Sequence, residues 1–312
     1  MKRTATAFAL FALLSAPSLD ARAQQRDFSA VQIKATKVAG NVFMLEGMGG
    51  NIGVSAGGDG ILIVDDQFAP LADKIRAELR EINPGPLRFV LNTHFHSDHT
   101  GGNAQFGRES TIVAHDNVRK RLAEGQPPRA AGQQGTPPAP REALPVITYA
   151  RSVSIHFNGE EISVIHLPAG HTDGDSAILF TASNVAHLGD HFFAGRFPFV
   201  DIDYGGSVQG LTRNIADLIA RLPADVKIIP GHGPLSTMDD LKTYHRMLTA
   251  TTDHVRKQID AGKTVEQIKA AGLPEEWKQW GSGFINQDRW LETVHRSLTR
   301  AETPAGADKR HH

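Results

Sequence analysis

The sequence predicts an α/β fold, a four-layer αβ/βα sandwich with a helical C-terminal extension. Short β-rich runs punctuated by glycine occur from Val42 onward and recur through the middle of the chain. Segments of helical periodicity lie between several of these runs, which is the strand–helix–strand pattern of α/β proteins. After Ser236 the pattern is helical almost to Arg300. Together these features favour two sheets covered by helices.

The individual elements are predicted in chain order. The runs VFMLE, NIGVSAG and ILIVDD predict an antiparallel meander that ends at Asp66. Apolar residues at helical spacing predict an amphipathic helix over 70–83, and the apolar run RFVLN predicts a strand over 88–92. Further strands are predicted over 111–114, 153–157, 162–167, 177–181, 185–189 and 226–230, and further helices over 116–124 and 207–222.

The chain divides into four predicted segments. Residues 1–23 predict a signal peptide, 24–235 the main domain, 236–300 the helical extension packed on it, and 301–312 a disordered tail. The extension contains aromatic side chains that are expected to pack its helices on the main domain: Trp277, Trp280, Phe284 and Trp290.

The N-terminal segment has a basic start, an apolar run and small residues before Ala23. This pattern predicts cleavage after Ala23 and a periplasmic or secreted protein. The apolar run is too short to span a bilayer, so no stable membrane insertion is expected. A disordered or membrane-anchoring N-terminus is the alternative.

Composition restricts the chemistry that the chain can perform. The 312 residues include 15 histidines and no cysteine, and 33 basic residues nearly balance 34 acidic ones. Without cysteine, disulfides, thiol nucleophiles and thiolate zinc sites are excluded, so any metal must bind histidine and carboxylate side chains. The balanced charge lacks the basic excess typical of nucleic-acid-binding proteins, and the expected partner is a small-molecule substrate. The composition does not predict the oligomeric state.

One long segment has no periodicity. Residues 125–141, GQPPRAAGQQGTPPAPR, are rich in proline, glycine, glutamine and alanine. A loop of this length is either a solvated surface excursion or a functional cover for a substrate. The sequence leaves both interpretations open.

The run HFHSDH follows the predicted strand over 88–92 directly. Alternate residues at a strand end, His94 and His96, can point two imidazoles at one position, while Asp98 and His99 can face a second position nearby. Neutral imidazole and ionised carboxylate are the ligands that zinc accepts when thiolate is absent. Three further candidates follow later strands and are flanked by glycine: His171, Asp190 and His232.

The ordered set HFHSDH, AGHT, LGD and PGHG resembles the metallo-β-lactamase superfamily over roughly residues 42–234. The resemblance implies an αβ/βα sandwich with a dinuclear metal site at one edge. It also implies two Zn²⁺ ions per chain, bridged by Asp190 and a water molecule. The first ion would be bound by His94, His96 and His171, and the second by Asp98, His99 and His232.

The charge of such a site indicates its chemistry. Asp98, Asp190 and a bridging hydroxide would offset most of the positive charge of two Zn²⁺ ions. The site could generate hydroxide near neutral pH, polarise a carbonyl oxygen and stabilise the tetrahedral anion. Asp98 is predicted to be catalytic, because it could orient the hydroxide and transfer a proton. Hydrolysis of a lactam, lactone, ester or thioester is the leading prediction.

Departures from named branches of the superfamily leave the substrate open. Phe193 stands where zinc β-lactamases place a drug-binding lysine and lactone hydrolases a tyrosine, and Arg196 is the nearest cation in sequence. Glyoxalase II is similar at Asp190, but its C-terminal glutathione-binding basic pattern is not evident, and export disfavours it. The predicted substrate pocket comprises Met48, at the tip of the hairpin loop 46–51, with Phe193 and Arg196. The alternatives are a true β-lactamase and a non-hydrolytic metal-binding or diiron redox protein.

Supporting residues are expected around the ligands. Asp66 is favoured over Asp65 as the carboxylate that supports the metal-binding loop. His115 is expected to begin a helix or support the site rather than to bind metal. His191, which follows Asp190, either lines the site or has no role in it, and the second interpretation is favoured. His166 is expected to be a packing or surface residue. Four aromatic residues either line an apolar pocket or belong to the core: Phe192, Phe193, Phe197 and Phe199.

Overall fold

Two β-sheets lie face to face in the computed structural model, which describes residues 27–128 and 135–300. The predicted signal peptide over 1–23 and the predicted tail over 301–312 lie outside the described residues, as do residues 129–134 of the proline-rich loop. The described residues form layers of helix, sheet, sheet and helix.

The first sheet contains seven strands in chain order. The first four strands are successively antiparallel to one another, and each later strand runs parallel to the one before it. A helix over 72–82 connects the fourth strand to the fifth, so the predicted strand–helix–strand unit is confirmed. The strands are β1 (Lys34–Ala39), β2 (Val42–Glu46), β3 (Ile52–Gly57), β4 (Gly60–Val64), β5 (Leu87–Leu91), β6 (Thr111–His115) and β7 (Ile147–Tyr149).

The second sheet contains β8 (Ser152–Phe157), β9 (Glu160–His166), β10 (Ser176–Phe180), β11 (Val185–His187) and β12 (Lys227–Ile229). These strands lie in the order β12-β11-β10-β9-β8. Neighbouring strands are antiparallel except for β11 and β12. Because β11 and β12 are parallel, the residues that follow them emerge at the same edge of the sheet, where ligands commonly bind in α/β proteins.

Helices cover the outer face of each sheet. They are α1 (Ala72–Ile82), α2 (Ser97–Thr100), α3 (Asn103–Phe106), α4 (Asp116–Glu124), α5 (Val208–Arg221), α6 (Met238–Asp260), α7 (Val265–Ala271), α8 (Glu275–Lys278) and α9 (Gln287–Thr299). Within residues 27–128 and 135–300, no helix combines the length and the apolarity that a membrane span requires.

Apolar clusters fill the spaces between the layers. One lies between the sheets and contains Leu62 of β4 and Ile162 of β9. A second packs α1 on the first sheet through Ile75. A third packs α5, α6 and α9 on the second sheet, where Ile228 of β12 and Trp290 of α9 are both fully buried. The predicted four-layer αβ/βα sandwich with a helical C-terminal region is confirmed.

The strands β1 and β7 are not predicted from the sequence, and both lie at edges of the first sheet. Most side chains of β1 are partly or fully exposed, and its lysines interrupt any apolar run. Strand β7 is three residues long and exposes Ile147. Edge strands bury less surface than central strands, so their hydrophobic pattern is weak.

The aromatic residues of the extension differ in their burial. Trp277, Trp280 and Trp290 are buried, as expected. The expectation that Phe284 packs the extension on the domain is wrong, because its side chain is 77% exposed. Phe284 lies in the turn before α9 and contacts the guanidinium of Arg289, whose central carbon lies 4.9 Å from the ring centroid.

Two histidines stack where the two sheets meet. His115 ends β6 and His166 ends β9, and their ring centroids lie 3.7 Å apart with the planes 9° from parallel. Burial and the neighbouring His115 lower the pKa of His166 to about 4, which a hydrogen bond with the backbone oxygen of Asp175 and the charge of Asp173 offset only in part. Burial also lowers the pKa of His115. Both rings are therefore neutral at pH 7 and pack as uncharged groups.

Acidification should destabilise the fold through this pair. Because the pKa of His166 is lower in the folded state than in the unfolded one, its stabilising contribution is complete above about pH 6.5 and is lost as the pH falls towards 4. We expect the free energy of unfolding in urea to fall by about 1–2 kcal/mol more in the wild type than in His166→Gln between about pH 7.5 and about pH 5. Equal pH dependence in the two proteins would contradict this assignment.

Candidate metal centre

Three imidazole nitrogens meet at one edge of the two sheets. His94 and His96 follow β5, and His171 lies in the loop between β9 and β10. His96 Nδ1 lies 3.1 Å from His94 Nε2 and 2.9 Å from His171 Nε2. Asp190, which follows β11, places its Oδ2 3.4 Å from His171 Nε2 and 3.7 Å from His94 Nε2. We call these four residues the first cluster.

Asp98, His99 and His232 form the second cluster. Asp98 and His99 lie in α2, directly after the first two histidines, whereas His232 follows β12. His232 Nε2 lies 3.4 Å from both His99 Nε2 and Asp98 Oδ2. The loop after β5 therefore supplies ligand atoms to both clusters.

The carboxylate of Asp190 lies between the clusters. Its Oδ2 faces the first cluster, while its Oδ1 lies 3.1 Å from His99 Nε2 and 3.3 Å from His232 Nε2. Oδ1 is buried, and no donor among the described residues makes a hydrogen bond of acceptable geometry with it. One carboxylate is thus placed to bind two cations, one with each oxygen.

Hydrogen bonds on the outer side of the rings determine which nitrogen faces inward. The Nδ1 of His94 lies 3.0 Å from Thr93 Oγ1, whose hydroxyl donates to Asp65 Oδ2 at 2.7 Å. The Nδ1 of His99 lies 2.7 Å from the same carboxylate oxygen. Asp65 is fully buried and also accepts a hydrogen bond from the backbone N–H of Thr93. Asp65 therefore orients one ring of each cluster, directly for His99 and through Thr93 for His94.

Asp66 supports the metal-binding loop, as expected, but its preference over Asp65 is wrong, because Asp65 is the carboxylate that orients the ligand rings. Asp65 directly follows the last residue of β4 and has a positive φ of 65°, a conformation that aspartate tolerates. Asp66 instead accepts a hydrogen bond from the backbone N–H of Gly102 at 2.8 Å, so it supports the end of the loop rather than a ligand ring. Burial raises the pKa of Asp66 well above its usual value.

Two further groups orient the first cluster. His171 Nδ1 lies 2.7 Å from the backbone oxygen of Phe199, and His96 Nε2 lies 2.8 Å from Asp201 Oδ2. Asp201 is buried and was missed by the sequence analysis. It lies in the run VDID, which follows no recognisable strand and matches no motif, so the sequence contains no signal for it.

These hydrogen bonds allow a test of whether the residues fit a metal. Each ring of the first cluster donates its N–H outward, so three nitrogen lone pairs converge at 2.9 and 3.1 Å and would repel one another without a cation. Burial lowers the pKa of His94 well below its usual value and that of His171 to about 4, which keeps both rings neutral. Neutral imidazoles with an ionised carboxylate form a donor set that a divalent cation satisfies.

The two ionisable residues at the centre have shifted pKa values of opposite sign. Burial acts to raise the pKa of Asp190, but the surrounding imidazoles, led by His99, hold it well below its usual range. Burial acts to lower the pKa of His99, but carboxylates led by Asp190 raise it well above its usual value in the protein alone. The negative potential at His99 is the kind that a bound cation would neutralise.

The hairpin loop 46–51 packs directly on the second cluster. The backbone N–H of Gly50 donates to the backbone oxygen of Asp98 at 3.0 Å. A Cβ added at Gly50 would lie 2.1 Å from Cε1 of His99, closer than real contacts allow. Glycine is therefore required here for close approach to a ligand ring.

Replacing Gly50 by alanine should displace His99 and selectively weaken the second cluster. We expect the affinity for the more weakly bound metal ion to fall by about 10- to 100-fold, as when ligand orientation is lost in other metal sites. Titration of the metal-free protein with Zn²⁺ measures this, with Gly58→Ala as a matched control because a Cβ there meets no atom within 4 Å. Equal metal affinities in the two variants would refute the requirement for glycine.

Neither His115 nor His191 joins the clusters. His115 Nδ1 accepts a hydrogen bond from the backbone N–H of Asn117 and so caps α4. His191 is buried, and its Nε2 lies 3.0 Å from Asn214 Nδ2. It is not among the residues that line the cleft, so the less favoured interpretation, in which His191 lines the site, is wrong.

A cleft of about 810 Å³ opens above the clusters. The structure places all three predicted pocket residues, Met48, Phe193 and Arg196, in its wall, with the ring of Phe193 stacked on His232 at 5.0 Å. Residues 136–140 of the proline-rich loop also line it, which favours the covering role over a solvated excursion. Of the aromatic group after Asp190, Phe199 lines the cleft and Phe192 packs in the core, while Phe193 and Phe197 belong to the core and also border the cleft.

Comparisons with known proteins agree with this geometry. The family model for the metallo-beta-lactamase superfamily matches residues 35–232. A hydroxyacylglutathione hydrolase from Polaromonas sp. is 28% identical over 183 residues, which are 53% of this chain and 59% of that protein. One from Synechococcus sp. is 26% identical over 247 residues, 78% of this chain and 84% of that protein. The chain thus spans less than two thirds of the Polaromonas protein.

The fold is shared with solved structures. A metallo-beta-lactamase from Pontibacter korlensis superposes with a TM-score of 0.57 and 17% identity, covering 70% of this chain and 99% of that one. The family model spans more than half of the chain and contains both residue clusters. The chain therefore belongs to the metallo-β-lactamase superfamily.

Proposed function

We propose that the chain is a dinuclear zinc hydrolase that cleaves an activated carbonyl compound. The position of Asp190 is the observation that supports this most strongly, because its two oxygens face two different clusters. The first ion would be held by His94, His96 and His171, the second by Asp98, His99 and His232, and Asp190 would bind both. Zinc is favoured because imidazole and carboxylate groups are its usual ligands where no cysteine is present.

Two zinc ions would supply a lowered pKa for a water nucleophile and positive charge for the developing oxyanion. Among the residues of the chain, Asp98 is the main candidate for orienting the nucleophile and accepting a proton. Its side chain is 31% exposed and lines the cleft, whereas that of Asp190 is only 5% exposed. Asp98 is therefore the carboxylate that can reach a substrate or solvent proton, and we assign it to orient the nucleophile and accept that proton.

The substrate class is a lactam, lactone, ester or thioester. Two relatives are named hydroxyacylglutathione hydrolase, which favours a thioester among these four. The C-terminal region also contributes a basic residue, Arg289, to the cleft wall, although no basic pattern is evident there from sequence. Phe193 stacks on His232 where a drug-binding lysine would stand in a zinc β-lactamase, so β-lactam hydrolysis is a weaker candidate.

A panel of substrates tests this proposal. We expect the zinc-loaded protein to hydrolyse S-lactoylglutathione or 4-nitrophenyl butyrate faster than nitrocefin, and chelation to abolish the activity. Asp98→Asn should lower kcat by about 10²-fold, because general-base catalysis contributes at least that much. Asp239→Asn, an exposed carboxylate at the start of α6, is the control and should retain full activity. A protein that binds two zinc ions yet hydrolyses no ester, thioester, lactone or β-lactam would refute the proposal.

A further inference from the structure

Two arginines line the cleft that opens above the metal-binding clusters. Arg196 lies in the loop after Asp190, and Arg289 lies in the first turn of α9 in the C-terminal region. Neither guanidinium forms an ion pair with a carboxylate in the described parts of the chain. Arg296, on the same helix as Arg289, is by contrast paired with Asp203.

The turn before α9 contacts both arginines. Its Gly283 lies against the Arg196 side chain, so that a Cβ there would be 3.3 Å from Arg196 Cδ. The next residue, Phe284, packs on the guanidinium of Arg289. An aromatic ring stabilises a guanidinium through its face without neutralising it. The two positive charges therefore remain available to an anionic ligand, for which the guanidinium fork is well suited.

The wall of this cleft is mainly apolar. Rings and prolines contribute to it, including Phe68, Phe95, Phe199, Pro137 and Pro140, and its polar residues include Ser97, Thr100, Gln126 and Thr136. A volume of about 810 Å³ is large enough for a drug-sized ligand. Because most of such a wall offers apolar contacts, a substrate with an apolar body is favoured there.

We propose that the cleft binds an amphipathic organic anion, with its apolar body against the aromatic wall and its anionic end held by Arg196 and Arg289. The carbonyl to be cleaved would lie at the metal-binding clusters, and this part of the inference rests on the proposed function. The C-terminal region thus supplies a specificity residue, Arg289, to the cleft.

Binding of a non-hydrolysable pair of probes tests the proposal without reference to catalysis. The probes are 6-phenylhexane-1-sulfonate and neutral 6-phenylhexan-1-ol, measured by calorimetry on the zinc-loaded protein. We expect the wild type to bind the sulfonate about tenfold more tightly than the alcohol, as charge-assisted hydrogen bonds to guanidinium allow. Arg289→Gln and Arg196→Gln should each reduce this preference about threefold or more, while leaving the affinity for the alcohol unchanged.

Arg246→Gln is the matched control, because Arg246 is exposed on α6 away from the cleft and hydrogen-bonds only Thr243. It should retain the full preference for the sulfonate. Equal affinities of the wild type for the two probes would overturn the proposal, and so would a sulfonate preference that persists in the double variant Arg196→Gln, Arg289→Gln. If the arginine substitutions removed the preference but the wild type hydrolysed no carbonyl substrate, the anion site would be supported and the proposed reaction refuted.

Discussion

Asp190→Ala is expected to abolish hydrolysis and to lower the metal content from two ions to less than one per chain. The carboxylate of Asp190 lies between the two clusters. Its removal leaves six candidate ligand atoms, five from imidazoles and one from the carboxylate of Asp98, for two divalent ions. Because metal ions supply both the nucleophile and the charge stabilisation, we expect kcat/KM to fall by on the order of 10³-fold or more. Elemental analysis of dialysed protein and a steady-state assay measure the two effects.

Asp190→Asn tests the effect of the negative charge of Asp190 separately from the effect of its side-chain shape. It retains the volume of the side chain but offers one neutral oxygen, so it should bind one metal ion more tightly than the second. Asp239→Ala, whose carboxylate is almost fully exposed at the start of α6, is the control for nonspecific effects and should retain both ions. Two tightly bound ions in Asp190→Ala would show that Asp190 does not bridge the clusters.

Asp65→Ala should weaken metal binding, although Asp65 is not a candidate ligand in either cluster. Its carboxylate fixes His99 directly and His94 through Thr93. Loss of this orientation typically costs about 10- to 100-fold in metal affinity. The substitution also leaves three buried donors without a partner, so we expect the metal-free protein to lose about 2–4 kcal/mol of unfolding free energy. Competition with a chelator and urea denaturation measure these two losses separately.

Asp66→Asn is the informative comparison, since the two carboxylates are adjacent and equally buried. The side chain of Asp66 has a raised pKa and, among the described residues, accepts one hydrogen bond, from the backbone N–H of Gly102. An amide oxygen can accept that bond, so we expect little change in metal affinity. If Asp66→Asn weakened metal binding as much as Asp65→Ala, the orienting role would belong to the whole turn rather than to Asp65.

The seven candidate ligands, which the structure brings together in two clusters, could be predicted because their signal is local. Four of them lie in one run, HFHSDH, directly after an apolar strand, and the other three lie beside glycines at strand ends. Strands place consecutive residues regularly, so ligands at strand ends converge on one edge of the sheets. The layer order was predictable for the same reason, because it follows from where strands and helices alternate.

The supporting residues could not be predicted, because their positions depend on backbone conformation and distant contacts. Asp65 contacts His99 directly and His94 through Thr93 from a residue with a positive φ, which the run ILIVDD does not reveal. Asp201 reaches His96 across 105 positions of sequence. Phe284 was wrongly expected to be buried, because an aromatic residue in a helical region has the same pattern whether it faces the core or the mouth of a cleft.

The helical C-terminal region acquires a second role from the structure. Its tryptophans pack it on the sandwich, as expected, but the turn and first residues of α9 form part of the cleft wall. Residues 136–140 of the proline-rich loop form another part of the cleft wall. Substrate choice in this chain is therefore expected to depend on segments that contain none of the seven ligand candidates.

Anomalous diffraction from crystals of the zinc-loaded protein tests the central claim most directly. The proposed dinuclear site predicts two peaks per chain at the zinc absorption edge, one among His94, His96 and His171 and the other among Asp98, His99 and His232, with Asp190 in contact with both. A single peak, or peaks that appear at the iron edge in a coloured protein, would contradict a dinuclear zinc hydrolase and favour a mononuclear or diiron protein.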